Sequence, residues 1–138
     1  MMKVYLDTSV ILRVVYRAPR PFSRWGKWQA AYASRLWYTE ALRSMDRARL
    51  TGAIRDAQVA RLRTDLDIIH EHLHVVPLTE AVLRRAGDSF STMLGTLDAL
   101  HLATAILVRE AVGLDAFLTH DEQLGTAAAG MGFKVQGL

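Results

Sequence analysis

Four acids stand where chemistry would need them: Asp7, Glu40, Asp98 and Asp121. Asp7 ends a short apolar run, Val4-Tyr5-Leu6, of the kind that forms a buried strand. A carboxylate at the end of such a run must be paired, capping a helix or binding a ligand. Asp121 closes Thr119-His120-Asp121, directly after a similar run, Ala116-Phe117-Leu118. Asp98 lies in the first turn of Leu97 to Val112, a segment apolar almost all round and therefore a buried helix. Glu40 falls about a turn and a half into a helix expected from Arg35 to about Leu50. Each acid also has a plainer reading. Asp7 and Asp121 can cap the helices that follow them, and Asp98 can complement its helix dipole. Glu40 can pair with Arg43, three residues on and on the same helix face.

The acids gain meaning together. If the first and fourth strands are neighbours where the strand order of a parallel sheet reverses, Asp7 and Asp121 meet in one crevice. The helix carrying Asp98 leads into that fourth strand, and Glu40 follows the second. Four carboxylates without basic partners repel and desolvate one another, and a divalent cation relieves both costs. An all-oxygen donor set points to Mg²⁺ or Mn²⁺ rather than a softer metal. Such a site activates water and stabilises the charge that builds on a phosphodiester in transit.

The elements that must position these acids can be read in order. Thr8 and Ser9 offer N-cap chemistry before a first helix through Val15. Arg17-Ala-Pro-Arg-Pro21 breaks it. Phe22, Trp25, Trp28, Gln29 and Tyr32 fall at roughly helical spacing, which predicts an amphipathic helix with an aromatic stripe packed on core or partner. Ala31 to Ser34 is a second strand, and Ser34 caps the helix to Leu50, ended by Thr51-Gly52. Asp56 to about His70 is an amphipathic helix buried through Leu62, Leu66 and Ile69. Leu73 to Val76 is a third strand. His70, His72 and His74 alternate around Glu71; zinc ligation is conceivable, but no fourth ligand of suitable spacing follows, and a solvated run is the simpler reading. Thr79 caps a helix expected to reach Phe90 to Met93. After the buried helix from Leu97, Gly113 is a stop. Ala116 to Leu118 is the fourth strand, then a helix through Ala129 with Gly130 as its C′ residue, then a last strand at Phe133 to Val135. Strands alternating with helices mean an α/β domain on a parallel sheet.

Composition narrows the class. The chain has 138 residues, 51% hydrophobic, the size and balance of a single globular domain. No apolar run approaches the ~20 residues of a membrane span, and the N-terminus runs straight into a strand rather than a signal peptide. The absence of cysteine excludes disulfides and thiolate metal sites and fits a reducing cytoplasm. The net charge is +3, and fourteen of the seventeen basic residues are arginine, whose planar fork suits phosphate. No P-loop, hydrolase elbow or cysteine nucleophile competes with the acids. The nearest rival is a phosphatase with Asp7 as nucleophile, but such enzymes want a second acid where Ser9 stands.

With Leu6-Asp7-Thr8-Ser9, Glu40 ahead of Ala-Leu-Arg43, Thr96-Leu-Asp98-Ala-Leu-His101-Leu-Ala103, and Thr119-His-Asp121 with Leu124 in this order, the chain resembles a PIN-domain ribonuclease, specifically a VapC-type toxin of a toxin–antitoxin pair. The match runs along essentially the whole chain. The resemblance implies one PIN domain over residues 1–138, with a three-layer α/β/α architecture around a short-stranded parallel sheet. It implies that Asp7, Glu40, Asp98 and Asp121 bind Mg²⁺ or Mn²⁺ and catalyse endonucleolytic cleavage of RNA. Thr8 and Thr119 resemble hydroxyl residues that orient ligands or water. The resemblance also implies a homodimer, an antitoxin protein that wraps the toxin and blocks its site, and a cytoplasmic location. Arg17 to Ala31 matches none of these motifs. The alternative is a non-catalytic PIN-like module that binds RNA or protein; retention of all four acids speaks against it.

Overall fold

The computed structural model describes residues 2–138. Eleven elements follow one another along the described residues: β1 (Lys3–Leu6), α1 (Thr8–Val15), β2 (Ala30–Ser34), α2 (Leu36–Leu50), α3 (Asp56–Glu71), β3 (His74–Val76), α4 (Glu80–Ala86), α5 (Thr96–Val112), β4 (Ala116–Leu118), α6 (Glu122–Gly130) and β5 (Val135–Gln136). The strands form one sheet in the order β3-β2-β1-β4-β5, and every pair is parallel. β1 is therefore flanked by β2 and β4, in register from Val4 opposite Ala116 to Leu6 opposite Leu118. Strand order reverses between β1 and β4, so their carboxyl ends open the crevice where α/β sheets bind ligands.

Side chains alternate across the sheet with period two, and each face receives its own layer of helices. Val4, Leu6, Ala31, Ala33, Ala116 and Leu118 join Ile11, Trp37, Leu62 and Leu66 in one core, under α1, α2 and α3. Tyr5 and Phe117 face the other way and pack with Leu102, Ile106, Leu124 and Phe133, under α5 and α6. The architecture is thus the α/β/α sandwich expected. Tyr5 stacks on Phe117 with ring centroids 5.1 Å apart, which seats its hydroxyl end between the sheet and α5.

Several expected elements differ. Residues 17–28 form turns and irregular chain rather than a helix, so the aromatic stripe does not exist as such. Phe22, Trp25 and Trp28 pack against the first core, whereas Tyr32 lies on β2 and stacks on His74 at 4.8 Å. Pro19, Pro21 and Gly26 break the helical pattern that the aromatics alone suggest. α4 stops at Ala86 instead of reaching Phe90, because Gly87 and Asp88 open a turn. α6 includes Gly130 and is capped by Met131, so the left-handed turn falls to Gly132, and the last strand shifts to Val135–Gln136. The histidine run diverges: His70 packs on Tyr38, His72 Nδ1 bonds the Ile68 carbonyl at 2.8 Å, and His74 lies on β3. No three metal-ligating groups cluster there among the described residues.

Candidate active site

Asp7 occupies the N-cap position of α1 without using its side chain as a cap. Its Oδ2 instead accepts from Ser9 Oγ at 2.7 Å and from Thr119 Oγ1 at 2.9 Å. The carboxylate is thereby aimed away from its own helix and held at the junction of β1 and β4, only 6% exposed. Thr119 also receives the Asp121 N–H at 3.0 Å, so one buried hydroxyl positions both acids. Asp121 itself is exposed on the rim and does cap its helix, accepting from Leu124 N at 2.9 Å. Gly137 closes this end of the sheet. At φ +105° its bare Cα lies so near the Thr119 carbonyl that a Cβ would stand 2.5 Å from that oxygen.

On the opposite side, Glu40 does not pair with Arg43, which bonds Asp46. Glu40 Oε1 accepts from Thr8 Oγ1 at 2.7 Å and from His101 Nε2 at 2.6 Å. His101 is 1% exposed; its Nε2 also lies 3.7 Å from Asp7 Oδ1, and its Nδ1 meets the Tyr5 hydroxyl at 2.8 Å. Tyr5 in turn accepts from the Ser34 backbone N–H at 3.3 Å. A continuous polar chain therefore runs from β2 through β1 and α5 to Glu40 on α2.

Burial alone would push the Glu40 carboxyl up, but the bond and charge of His101, with Thr8, hold it below its ordinary range. Burial alone would lower His101, yet the bond to Glu40 and the charges of Asp7, Glu40 and Asp98 hold its proton more tightly than usual. Asp98, on the first turn of α5 and half-buried, is raised by burial and then by the charges of Asp121 and Asp7. Tyr5 is raised well above its ordinary value, first by burial and then by the Asp7 charge. The four acids of the sequence reading thus share one electrostatic field at one end of the sheet. They do not close on a single point: no three metal-ligating groups cluster among the described residues. Carboxylate oxygens, from exposed Asp121 to buried Asp7, are donors of the hard kind that Mg²⁺ or Mn²⁺ takes.

Ser9, His101 and Tyr5 are the residues whose roles the sequence reading missed. Neither Ser9 nor Thr8 caps α1; Ser9 serves the Asp7 carboxylate, and Thr8 serves Glu40, in keeping with the orienting hydroxyl that the resemblance implies. His101 carried a detectable signal, because a histidine on a helix apolar all round must find a buried partner.

The sequence profile of the PIN domain family matches residues 4–129. Ribonuclease VapC47 of Mycobacterium tuberculosis (strain CDC 1551 / Oshkosh) is 31% identical over 137 residues, covering 94% of this chain and 93% of that protein. Ribonuclease VapC46 of Mycobacterium tuberculosis (strain ATCC 25618 / H37Rv) is 30% identical over 146 residues, covering 98% and 97%. Among solved structures, VapBC2 from Rickettsia felis bound to a DNA fragment from its promoter superposes with a TM-score of 0.67 at 12% identity, covering 98% of both chains. A toxin–antitoxin complex from Klebsiella pneumoniae superposes with a TM-score of 0.66 at 19% identity, again covering 98% of both. At these identities the solved structures speak for the fold.

Proposed function

The chain belongs to the PIN domain family, in its VapC branch, and from that membership we propose that it is a metal-dependent endoribonuclease, the toxin of a toxin–antitoxin pair. The observation that carries the reading is the gathering of the acids: Thr119 bonds both Asp7 and the Asp121 N–H, and His101 Nε2 lies 2.6 Å from Glu40 Oε1 and 3.7 Å from Asp7 Oδ1. Acids from four separate elements share one field, and the charges of Asp121, Asp7 and Glu40 all raise Asp98. A lone structural carboxylate would not be surrounded in this way. Asp7, Glu40, Asp98 and Asp121 would hold Mg²⁺ or Mn²⁺, which when bound supplies an activated water and neutralises charge on the scissile phosphate. Ser9 and Thr119 fix the orientation of Asp7, and Thr8 and His101 fix that of Glu40.

The partners that follow are an RNA substrate, a cognate antitoxin and a second copy of the chain in a homodimer. The antitoxin is supported by relatives named as VapC ribonucleases and by similar folds found in toxin–antitoxin complexes. No helix of the described residues is long and apolar enough to cross a membrane; a cytoplasmic site of action belongs to the same proposal. Incubating the protein with total RNA in Mg²⁺, in Mn²⁺ and in EDTA tests the reading. Cleavage should need either metal, and Asp7→Asn should lower it on the order of a hundredfold or more. RNA cleavage that persists unchanged in EDTA would refute the metal mechanism.

A further inference from the structure

Between Asp7 and Glu40 the chain carries Arg13, Arg17, Arg20, Arg24, Lys27 and Arg35 and not one acid. None of the six forms an ion pair among the described residues. Two of them, Arg17 and Arg20, adopt φ of +54°, a left-handed conformation in which a side chain crowds its own backbone. Arg17 is the C′ residue of the turn that ends α1, with the Ala18 N–H on the Arg13 carbonyl at 3.0 Å and its own N–H on the Val14 carbonyl at 3.1 Å; the Arg20 conformation has no such helix end to account for it.

The same segment walls a cavity of about 340 Å³. Arg13, Arg20, Ser23 and His120 line it beside Gly137 and Leu138, and no Asp or Glu side chain does. Arg13 Nη1 donates to the Arg20 carbonyl at 3.3 Å, so one arginine holds the loop that presents the other. His120 is fixed as well. Its Nδ1 donates to the Gly137 carbonyl at 2.6 Å, and its backbone N–H donates to Ser9 Oγ at 3.0 Å. Ser9 then donates to Asp7 Oδ2. The cavity wall is therefore two hydrogen bonds from the deepest acid of the crevice, and His120 is the chain neighbour of Asp121.

We infer that the cavity lined by Arg13, Arg20, Ser23 and His120 is a phosphate subsite that holds a backbone phosphate of single-stranded RNA next to the one being cut. This rests on the ribonuclease reading and adds to it the place where the strand is gripped. Two guanidinium forks and a hydroxyl offer donors suited to a phosphodiester, which only accepts. Pro21 and Phe22 add apolar lining against which the sugar or base can pack. The position explains why an arginine tolerates a conformation that glycine would take without crowding.

Arg20→Gly tests the assignment, because it removes the guanidinium and relieves the backbone at once. Binding of a fluorescein-labelled, mixed-sequence 20-nucleotide single-stranded RNA is measured in EDTA over a range of salt. The variant should melt no lower than wild type yet bind about tenfold more weakly. Its log–log salt dependence should fall by about 0.7 for the lost phosphate contact. Arg13→Gln should weaken binding likewise, and Arg84→Ala, on the exposed face of α4, should bind as wild type. Variants at 13 and 20 that bind with wild-type affinity and salt slope overturn the subsite. So does a variant that keeps RNA affinity and loses only its complex with the antitoxin, which would give the cavity to a carboxylate. Cleavage of total RNA by wild type in Mg²⁺ is scored separately: if it stands while the variants are unaffected, the subsite fails alone, and if wild type neither binds nor cleaves RNA, both readings fall.

Discussion

Asp98 is the acid on which the crowding of the crevice falls. Burial lifts its carboxyl, and the charges of Asp121 and Asp7 lift it further. A folded-state value above the ordinary 3.8 means that the native protein holds this proton more tightly than the unfolded chain does. Its stabilising contribution is complete below that ordinary value and is lost as pH rises through the folded one, so at neutral pH the ionised side chain opposes folding. Asp98→Asn should accordingly melt higher than wild type in EDTA at pH 7. The group is half open to solvent, so the gain is at most about 1 kcal/mol, or roughly 3 °C for a domain of this size. If Asp98 did no more than complement the dipole of α5, asparagine would lose a favourable interaction and melt lower. Thermal melts of the two proteins decide by sign alone.

At the scale of elements, the chain from Ser34 through Tyr5 and His101 to Glu40 fastens β2, β1, α5 and α2 together beneath the crevice. Its two titrating members work in opposite directions. Glu40 is held low, so its contribution is present above 4.5 and is lost as pH falls through the folded value. His101 is held high, so its contribution is complete below 6.5 and is lost as pH rises through the folded value. In EDTA the pair should therefore stabilise most between these limits, and Glu40→Gln should flatten both flanks of the stability–pH curve. An unchanged curve would mean that the pair does not titrate with folding. Tyr5→Phe keeps the ring and removes the hydroxyl, leaving two buried groups without a partner, and should cost about 1–3 kcal/mol in a urea melt. The elements themselves were largely legible, because β1, β4 and α5 are defined by apolar runs with one acid at a fixed end. The aromatic segment after Pro21 was not. Spacing of Phe22, Trp25 and Trp28 imitates a helix, while Pro19, Pro21 and Gly26 govern the backbone. The use of Thr8 was legible only through the resemblance, and that of Ser9 not at all. A hydroxyl at a helix start serves a cap or a neighbouring carboxylate equally well, and only the arrival of Glu40 and Asp7 from elsewhere decides.

At the scale of the whole molecule, the four acids belong to segments that meet only when the sheet order β3-β2-β1-β4-β5 is complete. The metal site proposed for them cannot exist in the unfolded chain, so a cation binding there must stabilise the fold by mass action. At a hundredfold excess over its dissociation constant the gain is about 2.7 kcal/mol, which for this size corresponds to roughly 8–10 °C. Added Mg²⁺ or Mn²⁺ should therefore raise the melting temperature along a saturating curve. Asp7→Asn and Asp98→Asn, which each take one charge from the set, should shift that curve to much higher metal concentration. Arg84→Ala should leave it in place, because that side chain pairs with Glu80 on the exposed face of α4. The measurement needs no RNA and so separates metal binding from the choice of substrate. A melting temperature that ignores both metals, or a rise shared equally by all variants, would place the cation outside this crevice. The acids would then be a repulsive cluster retained for another ligand, with Asp98 held high by burial and by that repulsion and no metal to relieve it.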